Sequence, residues 1–229
     1  MLNFVLCSIC PPRIDKQFLR VEVGMFVRLW YNAKMDHRKI FEIIFHARGG
    51  QGGKSAAEIV AQAAVNEGKF VQAFPQFGPE RSGAPTKTFV RISDSEIRTH
   101  EPITDPDVVL ILDETILDSS EFTNAETHCN ASLQRNVNLI INSKKTAEEL
   151  RERITCKGKI YPIDANGISM DILGQPRPNT VILGKFVQVT EAVKLESVTS
   201  EFRKIFEGKL GKEATEKNIQ AIEKAYDAI

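Results

Sequence analysis

The chain has 229 residues, 42% of them hydrophobic and 26% charged, which suits one α/β domain with a sizeable core and is marginal for two. Lys+Arg and Asp+Glu both number 30, so the formal net charge is zero, and nothing in that balance points to nucleic acid, whose binders carry a basic excess. No stretch reaches the ~20 apolar residues that a membrane span requires, so the expectation is a cytoplasmic globular protein, and a neutral chain fits one that buries surface in an assembly.

Residues 1–38 read differently from the rest. Met1 to Cys10 is apolar with one polar break at Asn3 before Ser8, and Pro11-Pro12 stops any regular element. The basic start and small-residue cleavage site of a secretory signal are missing. Met25 and Met35 are alternative starts, and well-patterned sequence begins only near Lys39. The expected organisation is an extension of unassigned role over 1–38 and a single α/β domain over 39–229. Cys7 and Cys10 form one C-x-x-C, which lacks two ligands for a zinc or iron–sulfur site. Cys129 beside His128, and Cys156 alone, match no metal spacing, so free thiols in a reducing compartment are expected.

The most informative segment is Phe41 to Ser55. An apolar β-rich run, Phe41-Glu42-Ile43-Ile44-Phe45, stops in a loop with glycine at 49, 50, 52 and 53, and a helical pattern starts at once. Glycines permit turns that a Cβ forbids and leave the amide N–H groups bare beside a helix N-terminus, where unsatisfied donors favour anions. Lys54 and Ser55 add a cation and a hydroxyl, and Arg48 precedes the loop. Arg48, Gly49, Gly50, Gln51, Gly52, Lys54 and Ser55 are therefore the candidate phosphate-binding residues. Two familiar motifs fail on spacing: a Walker A loop needs glycine at position 48, which is Arg48, and G-x-G-x-x-G needs one at Ser55. His46, on the strand ahead of the loop, suits a histidine bonded to backbone better than a catalytic one.

Ser55 to Val65 is alanine-rich with helical spacing and ends near Gly68. Phe70 to Phe74 reads as a strand, predicting a parallel, right-handed β-loop-α-β unit. Three prolines and two glycines between Pro75 and Pro85 exclude helix and central strand, yet this loop carries Phe77, Glu80 and Arg81. Thr88–Ile92 and Ile97–His100 predict a hairpin around Asp94. Asp107–Asp113 and Asn138–Asn142 read as buried strands, Thr146 opens a capped helix, and Ile160–Ala165 is a further strand. Helical patterns follow at 167–173, 179–190, 195–206 and 212–226, the last with Ile219, Ile222 and Tyr226 on one stripe. The alternation predicts a Rossmann-like α/β fold, a mostly parallel sheet flanked by helices, with ligands collecting at the carboxyl ends of its strands. The glycine loop, the proline loop and Asp113-Glu114 all follow strands and are expected to share that rim. The two acids read as the solvated end of a buried strand rather than an acid/base or metal pair.

The run Gly49–Ser55, with Val71-Gln72-Ala73-Phe74-Pro75-Gln76-Phe77-Gly78-Pro79-Glu80-Arg81-Ser82-Gly83-Ala84-Pro85, closely resembles the gamma subunit or gamma domain of pyruvate and related 2-oxoacid:ferredoxin oxidoreductases. The resemblance continues through Phe89–Ser93, Pro106–Val109, Leu112–Thr115 and Asn218–Tyr226, and covers about residues 39 to 228. The proline loop looks like the pyruvate-type version rather than the 2-oxoglutarate-type one. His46-Ala47-Arg48 stands where relatives often have His-Gly-Arg.

The resemblance implies a subunit of a larger enzyme that oxidatively decarboxylates a 2-oxoacid, most simply pyruvate, on thiamine diphosphate with Mg2+, and passes electrons through [4Fe-4S] clusters to ferredoxin. Coenzyme A usually takes the acyl group. The chain carries no thiamine diphosphate signature and no ferredoxin-type cysteine run, so alpha, beta and delta-type partner subunits are implied, with no catalytic residue and no metal held here. The candidate residues at Arg48–Ser55 would then hold the coenzyme A phosphates, or both loops would seat the chain on its partners. Two alternatives remain at this stage: an oxalate or branched-chain 2-oxoacid oxidoreductase subunit, and a free-standing nucleotide-binding α/β protein.

Overall fold

The computed structural model describes residues 40–76, 83–118, 137–154 and 158–228. The expectations for 1–38, for Cys7, Cys10, Cys129 with His128 and Cys156, and for Phe77, Glu80 and Arg81 fall outside the described residues.

Six strands form one sheet: β1 (Phe41–Arg48), β2 (Phe70–Gln76), β3 (Pro85–Ser93), β4 (Val108–Ile111), β5 (Asn138–Asn142) and β6 (Lys159–Ile163). The order is β2-β3-β1-β4-β5-β6, with β1, β4, β5 and β6 parallel and β3 antiparallel to both its neighbours. Among the described residues, six helices accompany them: α1 (Gly53–Asn66), α2 (Ala147–Arg153), α3 (Ala165–Leu173), α4 (Pro178–Thr190), α5 (Leu195–Leu210) and α6 (Lys212–Asp227). A short 3-10 turn spans Glu114–Asp118.

Alternation along the strands sorts side chains between two unequal cores. Ile43, Phe45 and Ala47 of β1, Val108 and Leu110 of β4 and Ile140 of β5 join the larger core, with Ala56, Ala57, Ala63 and Ala64 of α1 and the buried faces of α4, α5 and α6. Small residues on α1 let it lie close to the sheet, as its alanine-rich pattern suggested. The opposite face buries Val109, Ile111, Leu139 and Ile141 beneath Leu150 of α2 and Leu117 of the 3-10 turn. Helix α2 starts at a full capping box, in which Thr146 accepts from the Glu149 N–H and Glu149 from the Thr146 N–H.

The strands of the β-α-β unit run parallel as expected, β1 and β2 both lying antiparallel to β3, but they are not neighbours, because β3 returns between them and pairs with both. Residues Phe89–Ser93 of β3 are buried, which suits an internal position, whereas β2 is left at the edge. The edge is where Pro75, inside β2, is tolerated, since it lacks a ladder donor. One sequence expectation is corrected: the hairpin around Asp94 does not form, since Ile97–His100 lies outside any strand, and the His100 ring instead meets the Gln72 amide at 3.1 Å.

Candidate functional site

The carboxyl ends of the four parallel strands open on one cleft of about 970 Å³. β1 delivers the glycine loop, β4 delivers Leu112, Asp113 and Glu114, β5 delivers Asn142 to Lys145, and β6 delivers Asp164 and Asn166. Strands in register bring four successive crossovers to one rim, as open α/β sheets do. The fourth side is built by the turn from α3 into α4, Gln175 to Thr180, and by Phe202, Phe206 and Leu210 of α5.

The glycines are required by the backbone. Gly50 and Gly52 sit at φ of 94° and 75°, the left-handed region that L side chains avoid. A Cβ on Gly52 would lie 2.5 Å from Asn179 Nδ2, and one on Gly53 2.7 Å from the Ala47 Cβ. Gly52 serves as N-cap of α1 without any side-chain cap, and the helix has no acidic residue in its first turn. The loop therefore presents uncapped helix donors to the cleft.

The candidate residues divide into two groups. Gly50, Gln51, Gly52 and Ser55 line the cleft; Arg48, Gly49 and Lys54 do not. Arg48 is committed to the protein: its Nε donates to Thr115 Oγ1 at 2.8 Å, an Nη donates to the Gly83 carbonyl at 3.1 Å, and Asp113 lies 3.5 Å away. Gln51 accepts from the Arg48 N–H and donates to Asp113 Oδ2 at 2.5 Å. These contacts clamp the loop to the end of β4 and to the residue where the proline loop returns, Gly83. The Gly49 N–H donates to the Ala84 carbonyl at 2.8 Å. Lys54 is exposed on the first turn of α1.

Asp113 and Glu114 are held by cations and donors rather than poised as an acid/base pair. Burial pushes the Asp113 carboxyl up, but hydrogen bonds from Thr115 and Gln51 and the Arg48 charge outweigh it and hold it below its ordinary value. Glu114 behaves alike: burial is overcome by Lys145, Ser143 and Arg153. His46 is buried within β1. Among the described residues, no group of three or more His, Cys, Asp or Glu stands together, and no helix is long and apolar enough to cross a membrane.

Sequence reasoning missed the opposite wall. Lys144 lies at the rim with its side chain 80% exposed and 3.8 Å from Asp164. Arg177 is exposed at the start of α4, with one side-chain contact to Gln175 at 3.5 Å. The available signal was the turn Pro176-Arg177-Pro178 ahead of an apolar helix, with proline at N1 and no side-chain cap.

The model of the pyruvate ferredoxin/flavodoxin oxidoreductase family matches residues 42–228. The chain is 46% identical over 189 residues to the pyruvate/ketoisovalerate oxidoreductases common subunit gamma of Thermococcus kodakarensis, covering 82% of this chain and 96% of that one. Its structure superposes on the pyruvate oxidoreductase subunit PORC of Thermotoga maritima with a TM-score of 0.70 and 36% identity, covering 82% and 96% of the two chains. A 2-oxoglutarate:ferredoxin oxidoreductase from Magnetococcus marinus shares the fold at a TM-score of 0.65 and 19% identity, over 30% of its own length. Matched over nearly the full length of these gamma subunits, from the glycine loop to the last helix, the chain belongs to the pyruvate ferredoxin/flavodoxin oxidoreductase family, in its gamma-subunit branch.

Proposed function

We propose that this chain works as the gamma subunit of a cytoplasmic complex that oxidatively decarboxylates a 2-oxoacid, pyruvate first, and reduces ferredoxin. The observation that carries the reading is the match to gamma subunits over 96% of their length at 46% identity. Alpha, beta and delta-type subunits would supply thiamine diphosphate with Mg2+ and the [4Fe-4S] clusters. The part left to this chain is to seat the assembly and to hold coenzyme A, the acyl acceptor.

The cleft supports a phosphate-bearing ligand. Gly50 is exposed, Gly52 leaves room that a Cβ would fill, and the first turn of α1 is uncapped. In this reading Gly50, Gly52 and Ser55 offer amides and a hydroxyl, Lys54 contributes charge from the rim, and Gly49, whose N–H is donated to the Ala84 carbonyl, shapes the loop. Arg48 and Gln51 act by shaping the loop rather than by touching the ligand.

Purification through a tag on this chain tests the assembly. Co-purifying partner subunits and dye reduction dependent on a 2-oxoacid support it, and a monomer without partners or activity refutes it. The same panel of acids separates pyruvate from oxalate and branched-chain substrates. A Lys54→Ala/Ser55→Ala complex is expected to need more coenzyme A for half-maximal rate. An unchanged requirement rejects the phosphate role of the loop and leaves the subunit reading in place.

A further inference from the structure

We propose that Asp113 and Thr115, at the carboxyl end of β4, are positioning residues for the acyl-acceptor step: with Arg48 and Gln51 they close a one-way hydrogen-bond ring that holds the amides of the glycine loop toward the cleft. This rests on reading the loop as the seat of the coenzyme A phosphates, and it names residues that act on that ligand through the loop without touching it.

The loop cannot hold its own shape. Gln51 lies between Gly50 and Gly52, at φ of 94° and 75°. Glycine peptides turn over more freely than any others, and ordering them costs the most conformational entropy. Packing gives no help at Gly50, where nothing beyond its chain neighbours lies within 4 Å of a Cβ position. The shape is imposed through Gln51 instead. Its N–H donates to the Arg48 carbonyl at 3.0 Å, its Oε1 accepts from the Arg48 N–H at 2.9 Å, and its Nε2 donates to Asp113 Oδ2 at 2.5 Å. Asp113 is a firm post for that last bond. Leu112, just before it, is tied on both sides: its N–H donates to the His46 carbonyl of β1, and its carbonyl accepts from Asn142 Nδ2 of β5, each at 2.9 Å.

The chemistry of the four side chains leaves one direction for every proton in the ring. A guanidinium only donates, so Thr115 Oγ1 accepts from Arg48 Nε at 2.8 Å and gives its own proton to Asp113 Oδ1 at 2.6 Å. Asp113 Oδ1 also accepts the Thr115 N–H at 2.9 Å, Oδ2 takes Gln51 Nε2, and Arg48 Nε stands 3.5 Å from Oδ2. Donors on both oxygens call for an ionised carboxyl. Gln51 then has one amide orientation, oxygen to Arg48 and nitrogen to Asp113. A further bond from Arg48 Nη1 to the Gly83 carbonyl, at 3.1 Å, fastens the ring beside the start of β3. The neighbouring Glu114 serves a separate network of Ser143, Lys145 and Arg153, so of the two acids it is Asp113 that reaches the loop. An amide at position 113 cannot close the ring. It offers one oxygen, and its NH2 would face either the Thr115 donors or the Gln51 NH2.

The test is kinetic, on the assembled complex purified through this chain. For each variant it reads the coenzyme A concentration for half-maximal rate, the rate at saturating coenzyme A and the melting temperature. Asp113→Asn is expected to raise the coenzyme A requirement about tenfold, as loss of a charge-assisted hydrogen bond does, while changing the saturated rate less than about twofold. Thr115→Val is expected to raise the requirement several-fold, and Thr115→Ser, which keeps the hydroxyl, to return it to the wild-type value. The double variant Asp113→Asn/Thr115→Val is expected to be no worse than Asp113→Asn, because a ring opened once loses nothing more at a second break. The Thr115 pair decides the matter if Asp113→Asn does not assemble. A requirement that stays at wild type in Asp113→Asn and Thr115→Val, even with a lowered melting temperature, overturns the ring, as does one that Thr115→Ser fails to restore. If Lys54→Ala/Ser55→Ala raises the requirement in that case, the glycine-loop reading stands; if it does not, that reading falls with the ring.

Discussion

Replacing Gly52 by Ala, with Gly50→Ala as its control, separates backbone strain from the contact that joins the two helix starts. Both glycines occupy left-handed φ, 75° and 94°, so each alanine incurs about 1–2 kcal/mol for that conformation. They differ in surroundings: nothing lies within 4 Å of a Cβ at Gly50, whereas one at Gly52 meets Asn179 Nδ2 at 2.5 Å and Cγ at 2.9 Å. Asn179 must then rotate or α4 must shift, and overpacking of this kind adds about 1–3 kcal/mol. Gly52→Ala is thus expected to cost about 2–5 kcal/mol and Gly50→Ala about 1–2, the difference returning in Gly52→Ala/Asn179→Ala. At roughly 2–4 °C per kcal/mol for a domain of this size, the two single variants separate by several degrees in a melting curve. Urea unfolding of the full chain gives the free energies directly. Equal losses in the two single variants, or no recovery in the double variant, would refute the Gly52–Asn179 contact as the hinge of the site.

Gly184 of α4 faces α6 so closely that a Cβ there would overlap the Ile222 carbonyl and crowd Ala225. Gly184→Ala is expected to destabilise by about 1–3 kcal/mol or more, because the obstacle is backbone and cannot rotate away. A melting temperature equal to the wild type would show that α4 and α6 are not so tightly apposed. Asp113 and Glu114 have lowered carboxyl values in the fold, so their stabilisation is complete above the ordinary 3.8 and 4.5 and is lost as pH falls through the lowered folded values. Urea unfolding is therefore expected to show stability declining below about pH 4.5, less steeply in Asp113→Asn. Identical slopes in the two proteins would remove Asp113 from the acid response.

Much of the fold is legible one segment at a time. The apolar runs of β1, β4 and β5, the alanine pattern of α1, the capping box at Thr146 and the stripe of α6 each announce their element within a dozen residues, since spacing and caps act locally. The glycine loop is equally plain, because only glycine accepts its backbone. The placement of β3 between β1 and β2 is not legible, for its apolar run would satisfy any partner strand. Burial of both its edges settles the matter, and Pro75 then belongs on the edge strand. The site divides in the same way. Sequence alone determined a strand, a bare-amide loop and a helix start at 41–55. Only the tertiary structure decided that Arg48 turns away to Thr115 and Asp113, and that Asn179 and Thr180 arrive opposite Gly52. Local pattern encodes what a segment's own backbone permits, whereas these meetings depend on how helices and strands pack across the whole sheet.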